Sequence, residues 1–273
     1  MVTNRFIVHP SSFIVLLALA CAQRSPSIHD VHRIISLAPN LTEITFAIGC
    51  GGKVVGTDNY SDTPDVARYL AKVGGVEPDL EKIVALRPDL VIVSASADHP
   101  NLRGALGRAH IPLLIVRTDR LSDVATAMTT IGRATGCDAG KAVAAFNRAI
   151  EDQRRFRTKA PHILFAVWTD PLYVGGRQTF IDDLYALTGA TNAADVKGWP
   201  QYSLEALIQH PPDVFLYPNR SVSRTAVAEL LGRAHLPVEA MAVDENLFAR
   251  PGPRLALAAA ELNRICDRWE RSH

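Results

Sequence analysis

A chain of 273 residues that is 48% hydrophobic and 21% charged has the composition of an ordinary folded protein, long enough for one sizeable core or two smaller ones. Lysine and arginine total 29 against 28 aspartates and glutamates. No charge excess marks nucleic acid or an anionic membrane surface as the partner.

The first twenty residues carry one formal charge, Arg5, followed by the apolar run Phe13 to Ala20. That run falls short of the roughly 20 residues a spanning helix needs, and Ala18-Leu19-Ala20 supplies small residues for cleavage. Residues 1–20 therefore read as a secretory signal peptide, and the product as exported. Cys21 follows Leu17-Ala18-Leu19-Ala20 and resembles a bacterial lipoprotein cleavage site, which would make it the lipidated first residue of a soluble, tethered domain. The other cysteines, Cys50, Cys137 and Cys266, lack the paired spacing of a zinc site. Export permits a disulfide, but an odd count leaves one over and the sequence does not pair them. They read as buried, apolar thiols.

After a polar stretch, strand and helix signals alternate. Arg33 to Leu37 reads as a strand, and Asn40 with Glu43 three residues on as the capping box of the following helix, which ends near Gly49. Val54 to Gly56 resumes a strand, Leu80 to Leu86 is a short helix, and Asp89 to Val93 a continuously apolar, buried-type strand. Leu102 to Ala109 is helical and Leu113 to Val116 is the next strand. Residues 121–158 hold hardly a strand signal. The alanine-rich segment Ala142 to Arg155 predicts a long helix, separated from the one before it at Gly136 to Gly140. Alternation then restarts: strand at Ile163 to Val167, helices at Phe180 to Leu187 and Leu204 to Gln209, strand at Val214 to Tyr217, helix at Thr225 to Leu231, strand at Val238 to Val243, and a closing helix from Pro253 to Trp269.

One segment recurs. Leu80-Glu81 through Pro88-Asp89 to Ile92 matches Leu204-Glu205 through Pro212-Asp213 to Leu216, at one constant spacing, with leucine, glutamate, proline and aspartate identical. Each copy reads helix, Pro-Asp turn, buried strand. The expectation is an α/β fold of two pseudo-symmetric lobes with largely parallel sheets, 33–120 and 161–271, joined through one long helix in the connector 121–158, with a cleft between them.

Enzyme motifs are sparse. Gly49-Cys50-Gly51-Gly52 lacks the last glycine of a dinucleotide loop, Gly175-Gly176-Arg177 lacks the lysine of a phosphate loop, and no nucleophile elbow or HExxH motif is present. The sequence offers neither a catalytic residue nor a metal site. Aromatic and basic residues in presumed loops say more: Tyr60, Trp168, Tyr173, Trp199, Phe248 and Arg250 all follow or adjoin strand ends. Open α/β sheets bind ligands outside the carboxyl ends of their strands, so the set predicts a cleft for a large, partly apolar molecule. Glu81 and Glu205 occupy equivalent places in the two copies. Matched carboxylates suit docking on a two-fold symmetric partner; they also suit a plain helix-dipole role at helix N-termini.

Ile34 to Glu43 (IISLAPNLTE), Leu80 to Asp89 (LEKIVALRPD) and Arg250 to Arg254 (RPGPR) together resemble the periplasmic substrate-binding proteins with a rigid helical backbone that serve cobalamin, haem and ferric-siderophore importers. The resemblance runs from about Arg33 to Trp269, and Tyr60 to Pro64 with Trp199 to Ser203 bring it closest to the cobalamin-binding member. It implies capture of cobalamin or a related corrinoid, with Tyr60, Tyr173, Trp199 and Arg250 at the ligand. It also implies delivery to an ABC permease dimer with its ATPase subunits, docked through Glu81 and Glu205 by a monomer that takes no cofactor. Ferric siderophore or haem is the alternative cargo, a metal-ion receptor of similar fold another, and a secreted α/β enzyme the reading from a different class. The chain departs from the cobalamin member where that protein has tryptophans (Val76 and Ser94 here), an acidic cleft residue (Asn246 here) and a disulfide.

Overall fold

The computed structural model describes residues 31–273; the expected signal segment and Cys21 lie outside them. In chain order the elements are β1 (Ile34–Ser36), α1 (Pro39–Ala47), β2 (Val54–Thr57), β3 (Ala71–Lys72), α2 (Leu80–Ala85), β4 (Leu90–Ser94), α3 (Pro100–Arg108), β5 (Leu113–Val116), α4 (Leu121–Thr135), α5 (Gly140–Glu151), β6 (His162–Thr169), β7 (Leu172–Val174), α6 (Phe180–Thr188), β8 (Thr191–Asn192), α7 (Leu204–Gln209), β9 (Val214–Pro218), α8 (Arg224–Ala234), β10 (Glu239–Val243), α9 (Glu245–Phe248) and α10 (Leu255–Ser272). The first sheet, β3-β2-β1-β4-β5, is parallel throughout. The second runs β10-β9-β6-β7 with β8 also on β6, and only the β6–β7 pair is antiparallel. Sheets of parallel strands need both faces covered, and the strand sequences Leu90–Ser94 and Val214–Pro218 are apolar on both.

Side chains alternate along each strand between two interiors. Ile34, Ile92, Ile163, Phe165, Val214 and Leu216 all point into one core, which also holds buried residues of α1, α4, α6 and α10. Their neighbours Ile35, Val91 and Val93 pack under α2 and α3 on the outer face of the first sheet. Leu164, Ala166 and Phe215 do the same under α7 and α8 on the second. The inner faces of the two sheets therefore share a single interior.

The repeat falls on equivalent elements, α2–β4 and α7–β9. In each copy the residue before the helix caps it: the Asp79 carboxylate accepts from the Lys82 amide, the Ser203 hydroxyl from the Ala206 amide. In each copy the aspartate of the Pro-Asp turn also pins the preceding sheet strand. Asp89 accepts from the His32 and Arg33 amides at 2.9 Å, and Asp213 from the His162 amide at 2.7 Å.

The expected break in the helical stretch falls at Gly136, which adopts the left-handed conformation (φ 72°) that ends a helix. The helix touching both sheets' layers is the one before the break: α4 packs on α1 and β5 at one side and on α6 at the other, while the alanine-rich α5 lies against α10. Two local expectations need correction. First, α1 begins at Pro39 with Ala38 at its N-cap and no side-chain cap, so Asn40 and Glu43 form no capping box; proline at the first helical position removes one of the amides that a helix start leaves unpaired. Second, Cys50 and Cys137 are disulfide-bonded, with Cα atoms 6.0 Å apart, and tie the end of α1 to the end of α4. Cys266 does remain a buried thiol, and burial pushes its pKa up to about 11.

Candidate functional site

The carboxyl ends of the strands open onto three adjoining cavities. A central one of about 370 Å³ lies between the sheets, with Phe165, Val167, Phe180 and Trp199 on one wall and Asn40 and Thr118 opposite. A polar one of about 570 Å³ is formed by the loops after β2, β9 and β10 and includes Tyr60, Asp62, Arg220, Glu245 and Arg250. A lateral one of about 360 Å³ is walled by the first lobe alone, from Leu37 and Tyr60 to Val76 and His99. Pro39 and Tyr60 are common to the polar and lateral cavities, and Asn40 and Ala249 to the central and polar ones, so the three are compartments of one cleft.

Local backbone chemistry sets the aromatic walls. Trp199 rests on Phe180, ring centroids 5.3 Å apart. Gly176 lets the Trp199 loop approach: its amide donates to the Gly198 carbonyl at 2.8 Å, and a Cβ there would stand 2.0 Å from the Val196 carbonyl oxygen. Tyr60 sits on a loop anchored from beneath by a buried polar chain. The Thr42 hydroxyl donates to Ser36 and bonds Ser61 at 2.8 Å, Ser61 donates to Asp58, and Asp58 accepts the Tyr60 amide at 2.7 Å. Burial raises the Asp58 pKa, with the hydrogen bonds from Ser61 and Tyr60 opposing. Lys72 closes the loop's base, donating to Thr57 Oγ1 at 2.9 Å and to the Ser61 and Ala67 carbonyls at 2.6 and 3.0 Å; burial lowers its pKa while Asp58 and Asp62 pull it back.

Charges cross the cleft floor. Arg254 grips Glu43 with two hydrogen bonds of 2.8 and 2.7 Å. Arg250 donates to Asp62 at 2.6 Å and to the Tyr60 carbonyl at 3.2 Å, and stands 3.6 Å from Glu43. Arg220 lies 3.7 Å from Asp62. Both acids belong to the first lobe and all three arginines to the second. The Glu43 side chain is only 4% exposed, so water contributes little to its solvation. Asn40 adds a neutral crossing, donating to Thr118 Oγ1 at 3.0 Å and to the Pro251 carbonyl at 3.1 Å. For Asp62, burial alone would raise the pKa, but the hydrogen bond and charge of Arg250 outweigh it and hold the carboxyl below its ordinary range.

The expected site residues are thus distributed unevenly. Trp199 and Tyr60 line the cleft. Arg250 lines it too, but its guanidinium is committed to Asp62 and Tyr60. Trp168 and Tyr173 face each other across β6 and β7, outside the lining of the three cavities. A bulge at Val167 turns Trp168 to the side opposite Leu172 and Val174, and its indole donates to the Asp170 carbonyl. Phe248 is wholly buried against Phe165 and lines none of the three cavities, which corrects its expected role. Val76 and Ser94, where the resemblance implies tryptophans, line the lateral and central cavities. Glu81 and Glu205 are each the second residue of a capped helix, exposed, and in no ion pair among the described residues.

Phe165, Phe180, His99 and Arg220 line the cleft without having been marked by the sequence. Phe165 lies inside a buried-type strand and Phe180 at a helix start, where a ring reads as core; nothing in their local pattern separates cleft from core. No group of three or more potential metal ligands occurs among the described residues, and no helix there is long and apolar enough to cross a membrane.

A family model described as periplasmic binding protein matches residues 34–241. The vitamin B12-binding protein of Pectobacterium atrosepticum is 26% identical over 242 residues, covering 84% of this chain and 86% of that one. The ABC transporter substrate-binding lipoprotein YvrC of Bacillus subtilis is 32% identical over 249 residues, covering 84% and 78%. Among solved structures, the apo form of the periplasmic heme-binding protein RhuT from Roseiflexus sp. RS-1 aligns with a TM-score of 0.72 at 27% identity, over 85% of this chain and 97% of that one.

Proposed function

The chain belongs to the periplasmic binding protein family, and on that premise we propose that it captures cobalamin or a related corrinoid between its lobes and delivers it to the permease of an ABC importer. The carrying observation is the compartmented cleft, in which the rings of Phe165, Phe180, Trp199 and Tyr60 adjoin a polar compartment holding Asp62, Arg220, Glu245 and Arg250. A broad macrocycle fits such a cleft: large rings supply apolar contact at low entropic cost, and scattered polar groups fix orientation. The similarity to vitamin B12-binding relatives supports the same cargo. In this reading the chain catalyses no reaction.

Glu81 and Glu205 are the docking carboxylates of the proposal, because they are exposed, uncommitted and equivalently placed in the two lobes. Replacing both with alanine abolishes uptake and leaves ligand affinity unchanged; full uptake by the double variant overturns the docking role. The membrane tether through Cys21 belongs to the proposal as well, and mass spectrometry of the mature N-terminus decides it.

Haem is the second reading, favoured by the phenol of Tyr60, an available axial ligand type, and by the similarity to a haem-binding structure. Isothermal titration calorimetry of residues 21–273, with cyanocobalamin, haemin and a ferric siderophore, separates the cargoes. Tight one-to-one binding of cyanocobalamin is expected. Binding of haemin or the siderophore alone transfers the importer reading to that cargo.

A further inference from the structure

The lateral cavity belongs to one lobe and opens to solvent, with Leu37, Val76, Pro78 and Val93 among its apolar lining. Its polar groups are almost all spent. Asp58 accepts from the Tyr60 amide and from Ser61, Asp98 accepts from Arg103 through both oxygens, and the Ser96 hydroxyl pairs with Ser94 at 2.9 Å. Two atoms remain without a partner among the described residues: the Tyr60 hydroxyl and Nε2 of His99. The His99 ring is held in place because its Nδ1 accepts from the Leu102 amide at 3.2 Å, capping α3. An Nδ1 that accepts leaves the proton of the neutral ring on Nε2. Histidine is not among the residues that ordinarily cap helices; serine, threonine, aspartate and asparagine are. At this position it combines a cap with a ring that lines the cavity.

An apolar pocket with two free O–H and N–H donors accepts a short aliphatic arm ending in an oxygen acceptor. Asp58 and Asp98 also line the pocket, Asp98 already paired with Arg103, and no lysine or arginine lines it, so the pocket offers a charged carboxylate no cation, a lack that a neutral amide does not feel. We infer that the lateral cavity is a subsite for a carboxamide arm of the ligand, with His99 and Tyr60 donating to its carbonyl, and that it selects amide-bearing over carboxylate-bearing macrocycles. The inference rests on the corrinoid reading above and makes His99 a specificity residue of the cleft.

The test is calorimetry with cyanocobalamin, whose corrin periphery carries carboxamides, and with its monocarboxylic acid derivatives, using wild type, His99→Ser, His99→Ala and Tyr60→Phe. Serine keeps a cap for α3 and removes the ring donor. Removing one hydrogen bond costs about a factor of five to ten in affinity. His99→Ser and Tyr60→Phe should each lose that much for cyanocobalamin, with unchanged thermal unfolding, and at least one monoacid should bind wild type more weakly than cyanocobalamin. If wild type binds cyanocobalamin and both variants match it, the subsite is refuted while the cargo stands. A loss seen with His99→Ala but not His99→Ser assigns the residue to capping alone and also refutes it. If wild type fails to bind cyanocobalamin, the corrinoid reading falls and takes the subsite with it.

Discussion

Glu43 carries more of this structure than its place in a nine-residue helix suggests. It is nearly inaccessible and receives two hydrogen bonds from Arg254, with Arg250 3.6 Å away. A buried ion pair gains little over a well-packed apolar pair, but losing one partner strands the other in a poorly solvated place. Glu43→Ala should therefore destabilise the protein by about 3 kcal/mol, read as a lower midpoint in urea at unchanged slope. Asp62 gives the pH dependence. Its pKa is depressed in the folded state, so its contribution is complete above the ordinary carboxylate value near 4 and is lost as pH falls through the folded value. Asp62→Asn should be less stable than wild type at pH 7 and show a shallower loss of stability below about pH 4. Asp58 acts with the opposite sign: its raised pKa is a cost at neutral pH that is relieved on acidification.

At the level of elements, α4 is held to the first lobe by packing and by a covalent bond. The Cys50–Cys137 disulfide spans 87 residues of sequence, and closing a loop of that length lowers the entropy of the unfolded chain by an amount worth about 4.5 kcal/mol. Cys50→Ala with Cys137→Ala should lower the unfolding free energy by several kcal/mol, measured against the oxidised wild type; an unchanged midpoint would show the bond to be dispensable. The sequence made the strands and helices legible because continuous apolar runs and Pro-Asp turns are local signals, and the α2–β4 and α7–β9 copies aligned on them. The pairing of the cysteines was not legible, since it depends on α1 lying against α4, a contact between segments far apart in the chain. Asn40 and Glu43 misled for the same reason. Their spacing is that of a capping box, but their partners, Thr118, Pro251 and Arg254, are supplied by distant segments. Trp199 and Tyr60 were legible because a large ring beside a strand end is conspicuous; Phe165 and Phe180 were not, because apolar rings within regular elements look alike whether they border a cavity or a core.

On the scale of the whole molecule, the shared interior and the arginine crossings argue for lobes that keep their relation when a ligand enters. Residues of α4 (Val124, Ala127, Met128 and Ile131) lie in the same core as Ile34 of the first sheet and Phe165 of the second, and opening the cleft widely would expose that core. Small-angle scattering should accordingly show a change in radius of gyration under about 1 Å on saturation with ligand; a contraction of several ångströms would require a hinge that this packing does not provide.

The same interior bears on how the molecule could be taken apart or reassembled. Two copies of a helix–turn–strand unit suggest halves that could be swapped like modules. Yet a fragment ending near residue 120 would present Ile34, Leu41, Ile44 and Ile92 to water on the side that α4, α6 and α10 normally cover, and such a surface invites aggregation. The halves are therefore not separable parts. Changing what this scaffold carries is a matter of rewriting the loops at the strand ends, while the shared interior is inherited as one piece.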